Sequence, residues 1–229
     1  SGQRPWVSQT PTLLAWIKRE RPEIYAKTQT VLLCKDIVTH ALTGELVSDI
    51  SDMGGCGMLR MPENVYDDGL LDAFGIGDAR SKLPRLAKPS EIVGHVTEAV
   101  AHETGLCAGT PVVAGFFDVI ASALGSGVAR PGQASMIIGT WSINQIIVEN
   151  IDFTNENEIF MSSGYADDRF MSIESSATSA VNLEWLVREY LEHDAEVAAG
   201  KSPFELANEL VSQSAFREDG PYYHPYLYG

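Results

Sequence analysis

At 229 residues the chain is long enough for one large domain or two small ones, and with 45% hydrophobic residues it can bury a core. Against 31 Asp and Glu stand only 16 Lys and Arg, a formal net charge of -15, which excludes nonspecific binding to nucleic acid or to an anionic membrane surface. Cys34, Cys56 and Cys107 show no CxxC spacing, so neither a disulfide framework nor a zinc site is expected, and a reduced cytoplasmic setting is the economical reading. No apolar run reaches the roughly 18 residues of a membrane span, and Ser1-Gly2-Gln3-Arg4-Pro5 lacks the apolar core of a signal peptide. An anionic nucleotide remains compatible with the charge, because backbone dipoles and a metal ion act locally.

Thr10-Pro11 reads as an N-cap and first helical position. Leu13, Trp16 and Ile17 then follow at i, i+3, i+4, which predicts an amphipathic helix ending near Pro22 with Trp16 packed in the core. Val31-Leu32-Leu33-Cys34 reads as a strand, and Lys35-Asp36 with Ile37, Ala41 and Leu42 as a helix stopped at Thr43-Gly44. Asp36, Asp49 and Asp52 sit in turn-like sequence and are read as caps and Asx-turns before ligands. Gly54-Gly55-Cys56-Gly57 is no P-loop, since no Gly-Lys-Ser/Thr follows. Residues 61–90, rich in Pro, Gly and Asp, read as a connecting stretch.

Ile92 to Val96 predicts a short strand, and Thr97 to Glu103 a helix closed by Gly105. His95 and His102 have no metal spacing and are assigned to the surface. Farther on, Ile159-Phe160-Met161 and Phe170 to Ile173 predict strands joined by an Asp167-Asp168 turn. Leu183, Leu186, Val187, Tyr190 and Leu191 mark a helix face. Ser202-Pro203-Phe204-Glu205 has the form of a capping box opening a last helix.

Two stretches carry candidate chemistry. Val112-Val113, after Gly109-Thr110-Pro111, reads as a buried strand, Gly115 as a tight turn, and Asp118 as the start of a small-residue helix. A carboxylate there is either a helix cap or a general base aimed into a cleft from a strand end. Ser135 to Ile138 and Ser142 to Val148 read as a strand pair around Gly139-Thr140-Trp141. That turn is either an ordinary hairpin or a phosphate cradle offering N–H groups and a hydroxyl.

Together these stretches resemble the core of the FGGY carbohydrate kinases. The likeness rests on Gly105-Leu106, Gly109 to Gly115 and Asp118, on Ala123 to Val128 with Arg130-Pro131-Gly132, and on Gly139-Thr140. It extends to Lys35-Asp36 through Asp49 and Ser51-Asp52, to a partial signature over Ser8 to Glu20 in which Leu13 replaces the usual lysine, and to His224-Pro225-Tyr226-Leu227-Tyr228-Gly229.

The resemblance implies an α/β chain with a partial actin-like (ribonuclease H-like) ATPase fold, mixed sheets flanked by helices. Residues 1–128 would be the later part of an N-terminal sugar-binding domain, and 129–229 the incomplete beginning of a C-terminal nucleotide-binding domain. It implies Asp118 as catalytic base, and Trp6, Trp141 and Asn144 with Asp118 on the sugar side. Gly139 and Thr140 would lie on the nucleotide phosphates, with ATP and Mg²⁺ as cofactors and no metal ligand in the chain itself. A xylulose-like ketose is the first expected substrate, with glycerol or erythritol behind it. A homodimer stays open, as does a non-catalytic actin-like scaffold. The family's Asp-x-Gly-Thr strand turn and Gly-rich adenosine motif are not in these residues, so the stretch reads as a middle piece with little kinase activity alone.

Overall fold

A computed structural model describes residues 1, 3, 5–151, 161–166, 168–215, 219–220, 223–224 and 227. It divides into two units, one of residues 1–135 with 145–174, the other of 136–144 with 175–229. The expected features at Ile159, Phe160, Asp167, Pro225, Tyr226, Tyr228 and Gly229 lie outside the described residues.

The first unit opens with α1 (Thr10–Glu20) and α2 (Pro22–Lys27). The cap of α1 is Gln9, one residue earlier than the Thr-Pro signal suggests. Trp16 is not in the core: it is 47% exposed, and the Arg21 guanidinium lies over its ring at 5.6 Å. The fully buried residues are Pro11 and Leu14; of the expected stripe Ile17 packs partly buried against the same core, while Leu13 is exposed like Trp16. The chain folds straight back at Pro22 into α2, whose Tyr25 joins the same core as Leu14.

Val31 to Leu33 is not a strand. The segment is extended, with one backbone bond from Val31 N–H to the Lys82 carbonyl, and Leu33 caps α3 (Cys34–Thr43). Val31 and Leu33 are apolar because they pack on the core of Leu14, Met53, Leu59 and Leu71. A short apolar run looks the same whether or not a neighbouring strand waits for it.

Next come β1 (Val47–Asp49), α4 (Ile50–Gly55), β2 (Leu59–Arg60) and β3 (Val65–Tyr66). The expected connecting stretch holds more structure than its composition suggests: α5 (Asp68–Ala73), a 3-10 turn over Gly77–Lys82, and β4 (Arg85–Ala87). Leu71, Ile76 and Ala79 from it are fully buried. β1 and β4 run parallel, with Asp49 opposite Ala87.

β5 (Ile92–His95) pairs antiparallel with β6 (Pro111–Val113), and between them lies α6 (Glu98–Thr104), whose Thr97 cap accepts the Val100 N–H at 3.3 Å. β6 is not the buried strand expected: Val113 is 47% exposed, because among the described residues β6 has only β5 beside it, and the buried residue of this segment is Ala114. α7 (Asp118–Gly125) follows, then β7 (Ala134–Ile138), β8 (Ser142–Val148), β9 (Met161–Ala166) and β10 (Arg169–Ser176), which form one sheet in the order β7-β8-β10-β9. β9 and β10 pair antiparallel, as a hairpin requires.

In the second unit α8 (Ala180–Glu189), a 3-10 turn at Leu191–His193, α9 (Ala195–Ala198) and α10 (Pro203–Gln213) enclose a small core of Val187, Leu191 and Leu206. Of the predicted α8 face, Leu183, Leu186 and Tyr190 are exposed. Ser202 caps α10 by position but its side chain makes no capping bond, so the capping box is not formed.

Candidate functional site

Asp118 stands where a strand end, a glycine turn and a helix start meet. Gly115 has φ +83, the left-handed region open to glycine at no steric cost. Its N–H donates to the Pro89 carbonyl at 2.9 Å, and the Ala114 N–H to the Glu91 carbonyl at 3.0 Å. The cap position of α7 is Phe117, not Asp118, and Phe117 offers no side-chain acceptor. Asp118 is the first helical residue and is exposed. Its Oδ1 accepts the Val119 N–H at 2.7 Å. The carboxylate thus keeps a second oxygen on the solvent side, which a general base needs.

Beneath this loop lies a buried ionic cluster. Lys35 Nζ forms ion pairs with Asp36 Oδ1 at 2.8 Å and Asp49 Oδ2 at 2.6 Å, stands 3.8 Å from Asp52 Oδ2, and donates to the Ala114 carbonyl at 3.2 Å. Asp36 and Asp49 are 1% and 0% exposed. Both also cap helices, as the sequence suggests. Asp49 Oδ1 accepts the Ser51 N–H at 2.8 Å, and Asp36 Oδ2 accepts the Leu33 N–H at 3.0 Å. Burial alone would push the Lys35 ammonium down, but its hydrogen bonds to Asp36 and Asp49 outweigh that and hold it above its usual range. Burial raises the Asp52 carboxyl to about 6; Lys35 opposes the rise, and the charges of Asp49, Asp36 and Asp118 add to it. Burial likewise pushes the Cys56 thiol up to about 12, so it is no nucleophile.

The cluster is tied to the loop through α4. Ser51 Oγ donates to Asp49 Oδ1 and accepts the Phe117 N–H at 2.9 Å. Ser163 Oγ donates to the Ser51 carbonyl from β9. Two glycines let these elements approach: a Cβ on Gly55 would stand 2.8 Å from Phe117 Cε1, and one on Gly54 would stand 3.1 Å from Ser163 Oγ. The Phe116 ring meets Tyr165 edge-on, with centroids 6.4 Å apart. Trp6 belongs to the same neighbourhood by connection. Its backbone N–H donates to Gln9 Oε1 at 3.2 Å, Gln9 Nε2 donates to Gln3 Oε1, and Gln3 Nε2 donates to the Gly54 carbonyl. The segments carrying Trp6 and Asp118 both hang on α4.

The remaining candidates lie in the second unit. The Gly139 N–H donates to the Trp141 carbonyl at 3.1 Å, and the Gly139 and Thr140 carbonyls accept the Ala180 and Ser179 N–H groups at the start of α8. With the Gly139 amide engaged in this way, the side-chain hydroxyl of the exposed Thr140 is the turn's outward polar group. Trp141, 40% exposed, and Asn144 also face outward. An open hollow lined by Val181, Glu184, Trp185, Arg188 and Leu227 contains none of the predicted residues. Among the described residues no group of three His, Cys, Asp or Glu side chains could hold a metal ion, and His95 and His102 are exposed.

In the sequence the Lys35-Asp36, Asp49, Ser51-Asp52 string has the form of isolated caps, and nothing local links Lys35 to Ala114 or Ser51 to Phe117, so the cluster is not legible as a unit.

The chain as a whole, a mixed α/β scaffold, has clear counterparts among known proteins. Residues 1–125 match the FGGY family of carbohydrate kinases, N-terminal domain, and the chain belongs to that family. It is 33% identical over 189 residues to a probable L-xylulose kinase of Haemophilus influenzae, covering 82% of this chain and 39% of that protein. It is 40% identical over 141 residues to an autoinducer-2 kinase of Klebsiella pneumoniae, covering 62% of this chain and 26% of that protein. The solved structure of a xyloylose kinase from Brucella ovis superposes with a TM-score of 0.76 at 27% identity, over 91% of this chain and 41% of that one. The fold is therefore that of the actin-like sugar kinases, and the chain spans less than half the length of these relatives.

Proposed function

We propose that the protein transfers the γ-phosphoryl group of ATP to a hydroxyl of a small sugar, first a ketopentose such as xylulose, with Asp118 as the base. The observation that carries this reading is the Asp118 carboxylate, exposed at the first position of α7 on a loop held at both ends. In such a transfer the substrate oxygen attacks phosphorus in line with the leaving ADP oxygen while its proton departs. With Oδ1 occupied by the Val119 N–H, the other Asp118 oxygen receives that proton. Trp6, Trp141 and Asn144 are the sugar-side residues of this reading, since an aromatic ring offers apolar contact and an amide hydrogen-bonds hydroxyls. Thr140 offers its hydroxyl to a phosphate, and the space beside Gly139 is open, since a Cβ there would meet the Trp141 carbonyl at 3.8 Å, an ordinary contact. Mg²⁺ bound with the nucleotide would supply charge neutralisation, and the exposed Asp118 is the residue of this chain that would face its hydration shell.

In this reading residues 1–128 are the later part of the sugar-binding domain and 129–229 the start of the nucleotide-binding domain. The 229 residues alone turn over little or no sugar, and the protein works in the cytoplasm. The test is a panel of D- and L-ketopentoses, pentitols, erythritol and glycerol with ATP and the full-length protein. Autoinducer-2 belongs in the panel because of the 40% identity over 141 residues to a kinase of that name. Asp118→Asn is expected to lower kcat by about 10²–10⁴-fold with the thermal midpoint unchanged. Near-normal turnover in that variant removes Asp118 from the base role.

A further inference from the structure

Among the described residues four bonds tie the backbone of the loop that presents Asp118 to elements outside α7. Two go to neighbouring backbone, Ala114 N–H to Glu91 and Gly115 N–H to Pro89. The other two go to side chains far away in sequence. Lys35 Nζ donates to the Ala114 carbonyl, and Ser51 Oγ accepts the Phe117 N–H. Phe117 is the cap of α7, and its carbonyl accepts the Ala121 N–H at 2.9 Å as the first acceptor of the helix. Ser51 therefore holds the one backbone donor immediately before the helix, one residue from Asp118.

A serine hydroxyl rotates freely, so on its own it would hold an amide loosely. Here its proton is committed to Asp49 Oδ1, which turns an oxygen lone pair towards Phe117. Asp49 in turn is fixed by the Lys35 ammonium on its other oxygen. Ser51 and Asp49 are both fully buried, so water does not compete for these bonds. One lysine thus clamps Ala114 directly and Phe117 through Asp49 and Ser51, the two ends of a four-residue loop.

We propose that Ser51, oriented by the Lys35–Asp49 pair, is a positioning residue for Asp118, setting the start of α7 so that the carboxylate meets the substrate hydroxyl. The inference rests on reading Asp118 as the base. Ser51 touches neither substrate nor nucleotide in this scheme; it acts through the Phe117 amide. Misplacement of a catalytic group by about 1 Å costs on the order of 10²-fold in rate.

The test is a double-mutant cycle in the full-length protein, using ATP and the best sugar of the panel. Ser51→Ala is expected to lower kcat by about 10- to 100-fold and to leave KM for sugar and ATP within about threefold. In the Asp118→Asn background the same change is expected to cost less than about threefold, because a base already absent cannot be misplaced. Where Ser51→Ala does not accumulate as folded protein, Ser51→Cys takes its place. It nearly keeps the volume and replaces a good acceptor with a weak one. Equal losses in both backgrounds, or no loss in either, overturn the positioning role while leaving the kinase reading intact. A wild-type protein that phosphorylates nothing in the panel overturns both.

Discussion

Replacing Asp52 by asparagine probes the ionic cluster at its weakest member. Asp52 is 14% exposed at the side chain and stands 3.8 Å from Lys35, too far for the close pairing that Asp36 and Asp49 enjoy. Its carboxyl is raised from 3.8 to about 6, first by burial and then by the neighbouring carboxylates. In the unfolded chain Asp52 ionises near its ordinary value. Between pH 4 and 6 the folded state therefore binds more protons than the unfolded state, and stability falls as pH rises through that window. The shift from 3.8 to about 6 corresponds to about 3 kcal/mol lost above pH 6 and nothing lost below pH 4. Asp52→Asn has no charge to bury. It should match the wild type below pH 4 and exceed it by up to about 3 kcal/mol at pH 7.5, roughly 6–12 °C in thermal midpoint for a chain of this size. Melting curves of both proteins from pH 4 to 8 make the comparison. A variant less stable than the wild type at pH 7.5, or a difference independent of pH, would refute the account.

Lys35→Met removes the only cation paired with the buried carboxylates of Asp36 and Asp49 among the described residues. It should cost about 3–5 kcal/mol in chemical denaturation, and a loss below 1 kcal/mol would contradict the arrangement. Gly55→Ala places a methyl 2.8 Å from Phe117 Cε1. That overpacking should cost about 1–3 kcal/mol and lower kcat by displacing Phe117. Adding Phe117→Leu should restore stability, which a melting-point comparison of the single and double variants would read.

Some elements were legible because their signals are local. Thr97 and Gly105 bracket α6 within a residue of where the cap and the left-handed glycine fall. The Gly115 turn and the start of α7 follow from one glycine and a change of pattern. The positions of Asp118 and Gly139-Thr140 stood out through family likeness, since a lone aspartate after a glycine has many uses. What stayed hidden depends on distant partners. Val31 to Leu33 carries strand composition, yet among the described residues it is in no sheet and Val31 bonds the Lys82 carbonyl instead. Val113 is apolar but lies on a strand bordered on one side only among the described residues. Trp16 occupies a helix whose buried stripe is set by where Tyr25 and Met53 lie. The glycines of α4 look like a loop until Phe117 and Ser163 are seen filling the space that side chains would take.

Those adjacent glycines carry one more consequence. Relative to alanines they remove about 2 kcal/mol of intrinsic helicity from a segment of six residues, too short to persist unaided. α4 is a keystone with no strength of its own, set in place by residues 66 and 112 positions further along the chain. Its amide protons are thus natural sentinels: their exchange with solvent would register the undocking of either arm before the rest of the first unit gave way.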